Sequence, residues 1–166
     1  MDINELSPSE VFSYFQEICA IPHGSGNTGM IADYCLEFAK LHGLKARKDA
    51  ADNVVIFKTG FSGYEDCEPV ILQGHLDMVC EKEPDCDIDM SVQSIKACTD
   101  GKMVWADGTT LGADDGIAVA FILAVLASDT IAHPPIQAVL TSDEEIGMLG
   151  ARAVSYTHLR AHETLS

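Results

Sequence analysis

Apolar positions recur at helical spacing twice near the start of the chain and then give way to short extended runs. Ser7-Pro8-Ser9-Glu10 forms a capping box with proline at the first helical position, and predicts a helix over 8–20. Met30, Ile31, Tyr34, Cys35 and Phe38 predict a second helix over 28–42, which Gly43 is placed to terminate. The intervening Ile21-Pro22-His23-Gly24-Ser25-Gly26-Asn27 reads as a loop. Two strands follow, over 44–49 and 53–58, turned through Ala51-Asp52. In 69–75 the apolar residues Val70, Ile71 and Leu72 are continuous rather than alternating, the pattern of a strand covered on both faces. Segments 94–98 and 102–106 flank Asp100-Gly101, a hairpin signal. Residues 116–128 are apolar on every side and predict a helix buried inside the domain. After His133-Pro134-Pro135, residues 136–141 predict another buried strand, and a further helix begins near Gly147. Mixed strands and helices of this kind give an α/β class, a mixed sheet flanked by helices.

Charge narrows the partners. The 166 residues carry ten Lys+Arg against 26 Asp+Glu, a net charge of −16, which argues against nucleic acid or an anionic membrane surface. The longest apolar run, 117–127, is too short for a bilayer, which needs about 20 residues. Asp2 and Glu5 precede any apolar stretch, the opposite of a secretory signal, so the expected location is cytoplasmic. Six cysteines include no Cys-x-x-Cys pair and are expected to be free thiols, mostly buried. Glu81, Glu83, Asp85, Asp87 and Asp89 read as a solvated acidic loop.

Three clusters of ionisable residues each lie at the end of an apolar element. His75-Leu76-Asp77 ends the 69–75 strand, and residues two apart in extended chain share a face. An imidazole with a carboxylate behind it is the usual pattern of a metal site; an ordinary hydrogen-bonded histidine beside a loop acid is the plainer alternative. Asp114-Asp115 opens the buried helix, where one aspartate would serve as a cap and two exceed what a cap requires. Asp143-Glu144-Glu145 ends the 136–141 strand, where like charges repel unless a cation or solvent compensates. Because neighbours in extended chain point to opposite sides, Glu144 and Glu145 are expected to do different jobs, one binding metal and the other facing substrate or water; a surface turn is the alternative. Ligands in open α/β sheets collect at the carboxyl ends of strands, where two of these clusters sit. One histidine with several carboxylates suits zinc, manganese or cobalt.

Three motifs carry a family resemblance: Gly74-His75-Leu76-Asp77-Met78-Val79, the run from Thr109 to Ile117 through Gly112-Ala113-Asp114-Asp115, and Leu140-Thr141-Ser142-Asp143-Glu144-Glu145-Ile146-Gly147. In order and spacing they resemble the aminoacyl-histidine dipeptidases, cytosolic non-specific dipeptidases of the zinc aminoacylase and carboxypeptidase superfamily. The 21–27 loop and the His133-Pro134-Pro135 turn fit as well, and the resemblance covers about residues 6–154. It implies a zinc-peptidase-like fold and a co-catalytic pair of zinc ions, with manganese or cobalt as substitutes. Carried over by position, His75 binds one ion, Asp114 bridges both, Glu145 binds the other, and Asp77 orients His75. Glu144 is then the general base, taking a proton from the water shared by the ions and delivering it to the departing amine. The resemblance further implies a small peptide substrate, a homodimer for the full-length parent, and a lid domain inserted later in the chain.

A catalytic zinc ion wants about three protein ligands and an open position. Here each ion is one ligand short, and the resemblance assigns the missing acidic residue and histidine to a downstream portion. Residues 1–154 are therefore expected to be the N-terminal part of a catalytic domain, truncated before its remainder and the lid. Residues 155–166 depart from the family pattern and read as a non-native tail, in which His158, His162 and Glu163 mimic zinc spacing. An inactive fragment is expected. A sibling metallohydrolase (an aminotripeptidase or an N-acyl amino acid deacylase) and a non-catalytic gene fragment are the alternatives.

Overall fold

The two amphipathic segments near the N-terminus form α1 (Ser9–Cys19) and α2 (Gly29–Leu41) in a computed structural model that describes residues 2–154. The expected tail, with His158, His162 and Glu163, lies outside the described residues. In α1 the buried stripe is Val11, Phe15, Ile18 and Cys19; in α2 it is Ile31, Ala32, Cys35, Phe38 and Ala39. Both stripes follow the three-to-four-residue repeat of a helix with one face on a core. The capping box does not form: Pro8 is the N-cap, and no side chain bonds the first turn. The helix starts one residue later than expected, which leaves Ser7 outside it. At the far end of α2, Gly43 adopts a left-handed backbone and its amide bonds Lys40 O, as its position after the apolar repeat predicts.

The strands β1 (Lys45–Lys48), β2 (Val54–Lys58), β3 (Val70–His75) and β6 (Ile136–Thr141) make a mixed sheet in the order β1-β2-β6-β3. β6 is central, antiparallel to β2 and parallel to β3, and all six of its residues are buried. The expectation of a covered strand holds for β6 and fails for β3. Paired on one side only, β3 is an edge strand, with Val70 40% and Ile71 55% exposed. A continuous apolar run reports a strand that wants covering, and does not say that a neighbour is there. The hairpin of β4 (Ala97–Thr99) and β5 (Val104–Ala106) forms a separate two-stranded sheet around Asp100-Gly101.

The buried apolar helix is α3 (Ala113–Ala127), which lies against α1 and β3. Val119, Ala120, Ile122, Leu123 and Leu126 are in the core, but Phe121 is 49% exposed, so burial is not complete on every side. A short α4 (Leu149–Ala153) follows β6 near Gly147, as expected. Of the six cysteines, all free, only Cys19 and Cys35 are buried; Cys67 and Cys80 are exposed, so the thiols are less buried than composition suggests.

Two features fix α3, and with it the site. Gly112 caps its start with φ +72°, and a Cβ there would stand 2.7 Å from Met78 Sδ, so both backbone and space call for glycine. At its end Lys58 Nζ donates to the carbonyls of Val125, Leu126 and Ser128 at 3.2, 2.9 and 2.5 Å. A cation on the last carbonyls of a helix satisfies acceptors that have no partner within it. Lys58→Met, which keeps the apolar stem, is expected to destabilise the chain by about 1–2 kcal/mol in urea denaturation. An unchanged midpoint would show that these three bonds contribute nothing net.

Candidate metal centre

β3 and β6 run parallel, with His75 opposite Thr141, so both strands deliver their carboxyl ends to the same place. His75 and Asp77 leave the end of β3, and Asp143, Glu144 and Glu145 leave the end of β6. Asp114 and Asp115 arrive from the start of α3, where both depart from helical backbone angles. The three clusters thus meet. His75, Asp114 and Glu145 each offer a donor atom within 4.8 Å of the others, a buried imidazole facing two exposed carboxylates. His75 Nε2 lies 3.1 Å from Asp114 Oδ1.

Behind the imidazole, His75 Nδ1 stands 3.0 Å from the Asp77 carbonyl oxygen and 3.4 Å from its Oδ1. An N–H on Nδ1 donated to this side leaves the Nε2 lone pair directed at the carboxylates, the tautomer a metal ligand needs. Asp77 itself is only 1% exposed. Its Oδ1 accepts from the Glu144 amide at 2.8 Å, and its Oδ2 from the Glu145 amide at 3.2 Å and the Ser25 hydroxyl at 2.7 Å. Burial opposes its ionisation, but the donors His75, Ser25, Glu144 and Glu145 outweigh it and hold the carboxyl well below the usual carboxylate range. Asp77 in turn, with Asp114, pushes the His75 imidazole up to about 9 against the effect of its burial.

The two glutamates part company. Glu144 lines a cleft of about 580 Å³ with His75, Asp114, Asp115, Gln73 and Thr141, whereas Glu145 lines a second cleft beside Ser25, Met78 and Met90. Asp115, for which the motif alone supplies no role, accepts a hydrogen bond from the His75 amide through Oδ2 at 3.2 Å and so ties α3 to the end of β3. Burial raises its carboxyl, and Asp114 and Glu144 add to this, while the His75 amide works the other way. The reading of two adjacent aspartates as more than a cap was the signal for it. Asp143, a member of the acidic cluster at the end of β6, accepts from the Gly26 amide at 2.7 Å, whereas Ser25 has no such signal in the sequence.

A divalent cation fits this donor set. The imidazole and two carboxylates converge from three separate elements, and a carboxylate sits behind the histidine.

The chain is 41% identical over 160 residues to the cytosol non-specific dipeptidase of Escherichia coli (strain K12), a match over 96% of this chain and 33% of that relative. The crystal structure of an aminoacylhistidine dipeptidase from Vibrio alginolyticus is similar with a TM-score of 0.90 and 44% identity, over 93% of this chain and 31% of that one. A tripeptidase structure from Staphylococcus aureus is similar with a TM-score of 0.73 and 27% identity, over 92% of this chain and 41% of that one. No family model matches the chain. The resemblance to the aminoacyl-histidine dipeptidases therefore extends along nearly the whole chain, which has the mixed α/β fold of these peptidases and spans about a third of the length of the dipeptidases it matches.

The electrostatics give a pH prediction for the metal-free chain. Asp77 is depressed, so its stabilisation is present above its ordinary value of 3.8 and is lost as pH falls below it. His75 is raised, so its stabilisation is present below 6.5 and is lost as pH rises through about 9. Urea midpoints are expected to peak at about pH 5–6 and, in Asp77→Asn, to fall overall and vary less on both sides. An acid limb as steep in Asp77→Asn as in the unaltered chain would contradict this origin.

Proposed function

We propose that this chain is the N-terminal part of a metallo-dipeptidase catalytic domain that hydrolyses dipeptides, Xaa-His among them, with two zinc ions. The observation that carries the reading is the convergence of His75, Asp114 and Glu145 donor atoms within 4.8 Å, backed by Asp77. Its likeness to two dipeptidases supports the substrate class. His75 would hold one ion, Asp114 would bridge, and Glu145 would hold the other. When bound, such ions lower the pKa of water toward neutrality and stabilise negative charge on a carbonyl oxygen.

The remaining work belongs to the chain. Asp77 accepts from the Nδ1 side of His75, so Nε2 is the nitrogen left to face a cation. Glu144, on the substrate cleft but outside the His75–Asp114–Glu145 group, takes a proton from the attacking water and returns it to the nitrogen of the departing amine. Asp115 holds the His75 backbone against the start of α3. The cation set of this segment is incomplete for two ions, so the isolated chain binds zinc weakly and turns nothing over; further ligands, the lid and a homodimer contact belong to a longer polypeptide. A cytoplasmic location agrees with the cytosolic relative, and no described helix is long and apolar enough to cross a membrane. The likeness to a tripeptidase favours a second reading, a sibling peptidase with the same cation residues. Comparing dipeptide, tripeptide and N-acetyl amino acid turnover by the longer protein separates the readings.

In that longer protein Glu144→Gln is expected to keep its zinc and lose about a hundred- to ten-thousandfold in turnover, and Glu145→Gln to lose zinc. Zinc analysis alongside dipeptide turnover checks both. Normal turnover in Glu144→Gln, or full zinc content in Glu145→Gln, would overturn the division of labour. Turnover by residues 1–166 in excess zinc would overturn the expected inactivity.

A further inference from the structure

The loop over residues 21–27 joins α1 to α2 and has no part in the function proposed above, yet it runs directly against the metal centre. The Met78 amide donates to His23 O and the Ser25 amide to Met78 O, both at 3.2 Å, so the loop pairs with the chain just beyond Asp77. The approach is close. A Cβ on Gly24 would stand 2.6 Å from Cys80 Sγ, which requires glycine or a displaced thiol. On its other side the loop is tethered to the β6 exit through Gly26 N and Asp143 Oδ1. Between these anchors the Ser25 hydroxyl reaches Asp77 Oδ2 at 2.7 Å, across 52 positions of sequence.

We propose that Ser25 is a positioning residue of the metal centre, acting through Asp77 on Glu145. The inference rests on the cation-binding reading above. The two oxygens of Asp77 have different duties. Oδ1 takes the Glu144 amide at 2.8 Å and faces His75, whereas Oδ2 takes the Glu145 amide at a longer 3.2 Å and depends on Ser25 for its shorter bond. A hydrogen bond to an ionised carboxylate is stronger than one between neutral groups, and the short one fixes the rotation of the group. With Ser25 removed, Oδ2 keeps only its long bond, and the carboxylate is free to turn about the firmer Oδ1 contacts. The Glu145 backbone then loses its anchor before that of Glu144. Because Glu145 is one of three convergent donors, looseness there falls on cation affinity, while Glu144 and the substrate cleft are less affected. Indirect partners of metal ligands commonly contribute about ten- to a hundredfold to affinity in this way.

The test uses the full 166-residue chain with Ser25→Ala and Ser25→Thr, the latter keeping the hydroxyl. Zinc titration by calorimetry is paired with amide hydrogen exchange of the zinc-free protein. Ser25→Ala is expected to bind zinc about tenfold more weakly and to exchange the Glu145 amide faster, with a smaller change at Glu144. Ser25→Thr is expected to restore both. Wild-type zinc affinity and wild-type Glu145 protection in Ser25→Ala would overturn the proposal, as would equal impairment in Ala and Thr, which would mark Ser25 as packing only. If the unaltered chain keeps its fold and its Glu145 protection but binds no zinc, the cation reading itself falls, a result separate from any effect of Ser25.

Discussion

A carboxylate almost sealed from water must find donors on every side, and Asp77 finds them on three stretches of chain that are far apart in sequence. The β3 exit supplies His75, the β6 exit supplies the Glu144 and Glu145 amides, and the 21–27 loop supplies Ser25. An uncompensated buried charge is costly, so the four contacts form together or the local structure does not. Asp115 adds a second tie, from α3 to the His75 amide. Through these two aspartates the ends of two strands and the start of a helix are brought into one place.

The arrangement also explains why consecutive glutamates serve different spaces. Both amides point inward to Asp77, which fixes the backbone and leaves the side chains to leave it in different directions, one to each cleft. Asp114 and Glu145 stay exposed, and their charges face His75 across a gap of a few ångströms. An imidazole facing two carboxylates is a donor set suited to a divalent cation at that gap.

Much of this was legible in the order of residues. The helical repeats of α1 and α2, the central strand β6 and the three acidic clusters follow from periodicity and from the rule that sites gather at strand ends. What periodicity could not supply was neighbourhood. It made β3 a strand covered on both faces, although Val70 and Ile71 are exposed, and it buried Phe121 with the rest of α3. Ser7 looked like a cap because its local spacing was right, but the helix begins beyond it. Asp115 and Ser25 meet their partners 40 and 52 positions away, so local pattern holds no trace of either bond.

The function proposed for this chain requires that His75, Asp114 and Glu145 hold a divalent cation against the Asp77 network. Zinc K-edge X-ray absorption on the zinc-loaded chain tests it most directly. The account predicts a shell of nitrogen and oxygen at about 2.0–2.2 Å with the outer scattering of a single imidazole, lost in His75→Ala. A sulfur shell at about 2.3 Å, or the scattering of two imidazoles, would place the ion elsewhere in the chain and contradict it.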